Sequence, residues 1–319
     1  MCGTVSARVV WTRHASAVRL RQGGRCSNWR AVCAATATDV SFDTLRCAEN
    51  RVVSIRQGAH AGAFRFGLDA ILLATDVPVS SPPRTVVDLG AGCGIAGLCT
   101  ALRYGCVHLV SVEVQPSLAR HCEHNLEAAL PPGTWRVLQE DVRRVEHWMP
   151  RDVSQRADLV LCNPPFFAPH AGKRETTMTE RQAARQELLG GIAHFMTAAA
   201  ACLNDTGAAN FVLPPARLAD VLSASTQCGL HPHTVRCIHP APHTHAYLLE
   251  IALRLSRPTG GMLFIAPANI RGDDGRYTEE IATRIVTAAG ASSTEVEIER
   301  VRGTCRGSTK AAQTQERSR

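Results

Sequence analysis

The stretch Val86-Val87-Asp88-Leu89-Gly90-Ala91-Gly92-Cys93-Gly94 decides the fold. It starts as a short β-branched run of buried-strand character, reaches an acid, and then passes into alternating glycines. Glycines at that spacing let the main chain turn sharply and come close to a ligand at the start of a helix, which the residues from Ile95 to about Tyr104 supply. Strand, glycine turn and helix in this order open a βαβ unit. Downstream, Leu109 to Val114 reads as the next strand, and Pro116 opens a helix that runs to about Ala129, where Pro131 and Pro132 stop it. Trp135 to Leu138, Asp158 to Cys162 and Ala208 to Leu213 are further strands, the last two separated by a loop and a helix from about Gln186 to Leu203. Val235 to Ile238 and Tyr247 to Leu255 read as an antiparallel pair. Upstream lie a short strand, Val52 to Ile55, and a helix signalled by Gly67 whose apolar side is Leu68, Ile71, Leu72 and Ala74 to Val77. The expectation is an α/β fold, a doubly wound, mostly parallel, Rossmann-like seven-stranded sheet with a C-terminal antiparallel strand pair.

Composition bounds the function classes. The 319 residues are 45% hydrophobic and 20% charged, which excludes collagenous, coiled-coil and wholly disordered chains. No apolar run approaches a membrane span, so a cytoplasmic protein with no membrane partner is expected. The formal charge is +7, but six arginines and no acid precede Asp39, and six basic residues face four acidic ones after Gly290. Residues 39 to 290 hold 23 basic and 24 acidic side chains, so the expected domain is near neutral and net charge does not argue for a nucleic-acid partner. The expected organisation is a disordered or artefactual N-terminal segment over 1–45, one catalytic domain over 46–290, and a disordered tail over 291–319. The 13 cysteines show no C-x-x-C pair, and His231, His233, His239, His243 and His245 lack helical metal-ligand spacing, so no metal is expected.

The glycine turn admits two ligand readings, because Gly92-Cys93-Gly94-Ile95-Ala96-Gly97 also satisfies the dinucleotide pattern G-x-G-x-x-G. The acid before it separates them. Asp88 would repel a pyrophosphate but favours a sulfonium cofactor with a free amino group, hence S-adenosylmethionine over NAD. Glu113, ending the next strand, is placed to accept hydrogen bonds from ribose hydroxyls, and no residue set for hydride transfer accompanies it. Asp141 has two readings: an acceptor for the adenine amino group, or a cap for the turn that follows.

Asn163-Pro164-Pro165-Phe166 follows the apolar strand directly, at the carboxyl end where open sheets bind substrates. An exocyclic amine on a base is a poor nucleophile because its lone pair is delocalised into the ring. The Asn163 side-chain carbonyl and the Pro164 main-chain carbonyl can accept its two hydrogens, the prolines stiffen the segment, and Phe166 offers a face for stacking.

These residues resemble the class I methyltransferases that modify amino groups and share the N/D-P-P-Y/F/W motif. Phe64-Arg65-Phe66-Gly67-Leu68-Asp69-Ala70-Ile71-Leu72-Leu73-Ala74 and Ile270-Arg271-Gly272-Asp273-Asp274-Gly275-Arg276-Tyr277-Thr278-Glu279-Glu280 narrow the resemblance to the bacterial tRNA1(Val) adenine-N6 methyltransferase family, over about residues 46 to 288. The resemblance implies methyl transfer from S-adenosylmethionine to N6 of the adenine 3′ of the anticodon. It implies that Asn163, Pro164, Pro165 and Phe166 hold the base, and that Asp88, Gly90, Gly92, Gly94, Glu113 and Asp141 hold the cofactor. Members often carry tyrosine where Phe166 stands. Enzymes with the same four-residue motif also methylate guanine N2 in ribosomal RNA or a glutamine in release factors, and a non-catalytic RNA-binding module is a further alternative. Protein-directed relatives carry an N-terminal helical domain that residues 1–45 are too short and polar to provide. Lys173, Arg174, Arg181 and Arg185, after the motif, read either as a phosphate clamp for RNA, with tRNA the expected partner, or as a solvated loop paired to Glu175, Glu180 and Glu187. Asp69 reads either as a buttress of the cofactor pocket or as a purely structural residue.

Overall fold

The computed structural model describes residues 40–46, 52–59, 63–106, 108–149, 156–165 and 191–288. Its chain order begins with a hairpin, β1 (Val40–Arg46) antiparallel to β2 (Val52–Gly58), followed by α1 (Leu68–Thr75). The alternation then runs β3 (Thr85–Leu89), α2 (Ile95–Tyr104), β4 (His108–Val112), α3 (Pro116–Ala129), β5 (Trp135–Leu138), α4 (Val145–Trp148) and β6 (Ala157–Cys162). After it come α5 (Ile192–Cys202), β7 (Leu203–Leu213), α6 (Leu218–Gln227), β8 (His231–His239), β9 (Leu248–Arg254), β10 (Leu263–Asn269) and α7 (Glu279–Thr287).

Eight strands form one sheet in the order β10-β8-β9-β7-β6-β3-β4-β5. Strands β3 to β7 are mutually parallel, while β9 runs antiparallel to both β7 and β8. The period-two geometry of the central strands sends alternate residues to opposite faces. Val86, Leu159, Leu161 and Val212 pack with α1, α2 and α7, and Val87, Val160, Cys162 and Leu213 pack with α5 on the other face. Leu159 and Leu161 are fully buried, each contributing roughly 1.5–3 kcal/mol of apolar transfer. Because both faces are covered, these strands read as continuous apolar runs.

The sheet carries one strand more than the seven expected. Strand β10 pairs parallel with β8 at the sheet edge, with a register shift between Ile265 and Ala268, on either side of Pro267. A proline interrupts a strand signal in sequence, yet an edge tolerates it because the missing N–H faces away from the ladder. Leu263 and Phe264 on that edge are 62% and 71% exposed, so the apolar-in, polar-out pattern that marks a strand is absent as well. The fold also begins earlier than residue 46: Val40 to Leu45, assigned from sequence to the disordered or artefactual segment, are strand, held by the β2 ladder from Val40↔Gly58 to Arg46↔Val52. The helix expected from Gln186 is described from Ile192, and residues 186–190 and the 291–319 tail lie outside the described residues.

Three side chains anchor the α1 side of the molecule. Asn125 on α3 exchanges hydrogen bonds with Arg56 of β2, accepting from its N–H at 2.7 Å and donating to its carbonyl at 2.9 Å, and also donates to the Cys93 carbonyl at 2.9 Å. It thereby ties the hairpin to the glycine turn. At the C-terminal end of α1, Asn210 of β7 donates to the Leu73 and Asp76 carbonyls at 3.0 and 3.1 Å, and Arg284 of α7 donates to the Leu72 carbonyl at 2.7 Å. Helix ends leave carbonyls without intrahelical partners, and these side chains supply them.

Candidate active site

The order of strands reverses at β3, whose neighbours are β4 on one side and β6 on the other, and ligands of open α/β sheets bind at such a switch point. A cleft opens there, between the glycine turn after β3, the end of β4 and the segment after β6. Gly90, Gly92, Glu113, Gln115, Asn163 and Pro165 are among its lining residues.

Three glycines of the turn have left-handed backbones, with φ of 69° at Gly90, 58° at Gly92 and 83° at Gly94. Space is restricted as well as φ. A methyl group at Gly90 would sit 3.1 Å from the Phe195 ring, and one at Gly94 would sit 2.5 Å from Cys122 Sγ. The turn is then held by the two carboxylates that flank it. Glu113 accepts from Gly92 N–H at 2.9 Å and from Gln115 N–H at 2.8 Å, and Asp88 accepts from Gly97 N–H at 2.9 Å.

The two acids differ in position. Glu113 lines the cleft, whereas Asp88 is only 2% exposed and sits beneath the turn. Burial pushes the Asp88 carboxyl up to about 7, the Gly97 N–H pulls it down, and the Glu113 charge raises it further. The Glu113 charge in the cleft, joined from beneath by Asp88 as it ionises near pH 7, makes a negative field that suits a cationic ligand and opposes a pyrophosphate. With the Gly90 and Gly92 main chain lining the cleft beside Glu113, the residues fit S-adenosylmethionine and disfavour the dinucleotide reading of the same glycines.

Asp141 is turned elsewhere. It accepts from Arg143 N–H at 2.9 Å and from Arg143 Nε at 2.9 Å, capping the turn Val142–Arg144, while its neighbours Glu140 and Val142 line the cleft. The Arg143 guanidinium holds the Asp141 carboxyl below its ordinary value.

At the other end of the cleft, β6 delivers Asn163 directly from Cys162. Asn163 and Pro165 line the cleft and Pro164 is buried. The Asn163 Nδ2 donates to Asp69 Oδ2 at 2.7 Å. A carboxylate only accepts, so this contact assigns the amide: nitrogen towards Asp69, carbonyl oxygen left for an incoming donor. Phe166, Lys173, Arg174, Arg181 and Arg185 lie outside the described residues.

Phe64, Gln115, Glu140 and Phe195 also line the cleft and were not singled out from the sequence. Phe64 sits inside the Phe64-Arg65-Phe66-Gly67 motif, so a signal existed without a role attached to it. Phe195, an apolar residue within α5, looks like any core residue, and it does pack in the core. The Arg271 to Tyr277 stretch is a tight turn with the Arg271 guanidinium 4.9 Å from the Tyr277 ring centre, leading into α7 capped by Thr278. His233 and His239 contact the Ser256 and Thr244 carbonyls at 2.8 Å each, and no group of three possible metal ligands occurs among the described residues. Among the same residues no helix is long and apolar enough to cross a membrane.

Residues 65–214 match the family model of the methyltransferase small domain. The chain is 28% identical over 218 residues to the tRNA1(Val) (adenine(37)-N6)-methyltransferase of Klebsiella pneumoniae, covering 68% of this chain and 84% of that protein. It is 29% identical over 218 residues to the protein of the same name from Shewanella loihica, covering 66% and 86%. Among solved structures, a predicted O-methyltransferase from Agrobacterium tumefaciens aligns with a TM-score of 0.53 at 23% identity, covering 70% of this chain and 98% of that one, a likeness of fold.

Proposed function

We propose that this chain, a methyltransferase that carries the methyltransferase small domain over residues 65–214 and takes S-adenosylmethionine as its cofactor, methylates an exocyclic amino group in RNA. The proposed target is N6 of the adenine on the 3′ side of the anticodon in tRNA1(Val). The observation that carries the reading is the convergence of a glycine turn with two carboxylates and an Asn-Pro-Pro segment in one cleft.

In this reading the bound cofactor supplies a methyl group already activated for transfer, so the protein needs no strong base. Gly90, Gly92 and Glu113 hold the cofactor on the β3–β4 side, and Asp88, as it ionises near pH 7, adds negative charge from beneath. Asn163 Oδ1 and the Pro164 carbonyl accept the two hydrogens of the target amine and favour its pyramidalisation, with Phe166 stacking on the base. Positioning then does most of the work. Lys173, Arg174, Arg181 and Arg185 supply phosphate contacts, consistent with a central chain of near-zero charge that needs a local basic feature to engage RNA. A cytoplasmic location agrees with a tRNA substrate.

The test uses unmodified tRNA1(Val) transcripts bearing adenine or guanine at the target position, with labelled S-adenosylmethionine. The reading expects label on the adenine transcript alone, recovered as N6-methyladenosine. Label on the guanine transcript as N2-methylguanosine, or on a release factor and not on RNA, would replace it.

A further inference from the structure

Asp69 takes no part in the contacts proposed above, yet its carboxylate lies 2.7 Å from the amide nitrogen of Asn163, across 94 residues of sequence. We propose that Asp69 is a positioning residue: it fixes the Asn163 amide so that Oδ1, and not Nδ2, faces the target amine. The proposal rests on the reading of Asn163 given above and adds to it a residue that decides which way that side chain works.

An asparagine amide is nearly symmetric in shape, and a half-turn about its last bond exchanges acceptor for donor. A donor facing the amine's hydrogens would oppose binding of the base. Something must therefore favour one orientation, and a group that can only accept does so outright. Serine or asparagine in place of Asp69 could both donate and accept, which would leave both orientations available.

Three further features agree with a carboxylate kept in this position. Gly67 has φ −120° and ψ −173°, an extended conformation open to any residue, so backbone freedom does not explain the glycine. Space does: a methyl group at Gly67 would lie 2.5 Å from Asp69 Oδ1. The missing side chain leaves room for one carboxylate oxygen while the other meets Asn163. Asp69 also sits in the first turn of α1, where the helix dipole favours a negative charge. The far end of the same helix is anchored by Asn210 and Arg284, so α1 is held at both the end that carries Asp69 and the end that meets β7 and α7.

The test compares wild type with Asp69→Ala, Asp69→Asn, Asn163→Asp and the exchange Asp69→Asn/Asn163→Asp, measuring kcat on RNA, KM for S-adenosylmethionine and thermal midpoint. Aspartate occupies the Asn163 position in other members of the N/D-P-P-Y/F/W set, so it can accept from an amine. In this chain Asn163→Asp alone sets two carboxylates against each other, and activity should fall. The exchange restores a donor–acceptor pair with its direction reversed, and its kcat should exceed that of Asn163→Asp by about tenfold or more, a recovery that a purely structural role for Asp69 would not produce. Asp69→Ala should lower kcat about 10–100-fold, the scale of a misplaced catalytic group, with KM for the cofactor unchanged. Asp69→Asn, equal in size, should fall between, and covers the case in which the alanine variant fails to fold. An exchange variant no better than Asn163→Asp, or Asp69→Ala and Asp69→Asn within about twofold of wild type in kcat, would overturn the proposal. If wild type itself places no methyl group on RNA, the reading of the cleft fails first, and the role of Asp69 with it.

Discussion

In the half of the cleft proposed to hold the cofactor, carboxylates are tied to main-chain N–H groups that are near in sequence: Glu113 to Gln115 two residues on, Asp88 to Gly97 nine residues on, and Glu113 to Gly92 twenty-one residues back. In the half proposed to hold the target base, one side chain is tied to another across 94 residues, from Asn163 to Asp69. The first half is a local device. The helix bearing Asp69 is itself held by β7 and α7, so the second half depends on the assembled fold. Changes near the glycine turn should therefore act on cofactor binding, and changes far from the cleft can act on the chemistry.

The largest effect should come from the support of α1. Arg284 is buried, pairs with Glu250, and donates to Thr75 Oγ1 at 3.1 Å and to the Leu72 carbonyl. Arg284→Ala would leave the Glu250 charge buried without its partner, at a cost of about 3–5 kcal/mol in denaturant unfolding. A loss below about 1 kcal/mol would show that Arg284 does not tie α7 to Glu250 of β9 and to α1.

Asp88→Asn probes the local half through pH. The Asp88 carboxyl is raised from 3.8 to about 7, so the folded chain keeps a proton that the unfolded chain releases near pH 4. The unfolded state then binds fewer protons over that interval, and stability falls as pH rises from about 4 to about 7. The amide keeps an acceptor for Gly97 and removes this fall. The variant should be more stable than wild type above pH 7, by up to about 4 kcal/mol, with little difference below pH 4. Above about pH 7 it should also bind S-adenosylmethionine more weakly, having lost the charge that Asp88 carries there. Parallel pH profiles for the two proteins would contradict the assignment.

Asn163→Ala separates the halves most cleanly. Removing one preorganised acceptor should lower kcat about 100-fold while the cofactor Kd, measured by calorimetry, stays within about twofold of wild type. Loss of cofactor binding in this variant would mean that the halves are not independent. The smallest effect should belong to Asp141→Ala. As a cap engaged by Arg143, Asp141 should cost about 1 kcal/mol when truncated and leave cofactor affinity nearly unchanged. A large loss of affinity would instead give it the adenine contact that its sequence position suggests.

The same contrast governs what could be read in the sequence. Asp88, the glycines and Glu113 occupy one βαβ unit, where strand period, turn chemistry and helix start follow one another along the chain. Asn163 was legible for the same reason, lying at the end of an apolar strand. That Asp69 meets Asn163 was not legible, because nothing in a linear pattern records which side chains a folded sheet brings together. Asp141 could be read as an acid after a strand, but its direction depends on Arg143, two residues away. Strand β10 escaped because Pro267 and the exposed Leu263 and Phe264 erase the usual strand signals at a sheet edge.

The central claim is that one cleft joins a methyl donor to an amine in RNA through Asn163. It is tested most directly by incubating wild type and Asn163→Ala side by side with labelled S-adenosylmethionine and total RNA from a strain lacking the enzyme, then digesting the RNA to nucleosides. The account predicts label in N6-methyladenosine for wild type and about 100-fold less for the variant. Equal label from the two proteins, or label absent from RNA altogether, would contradict it.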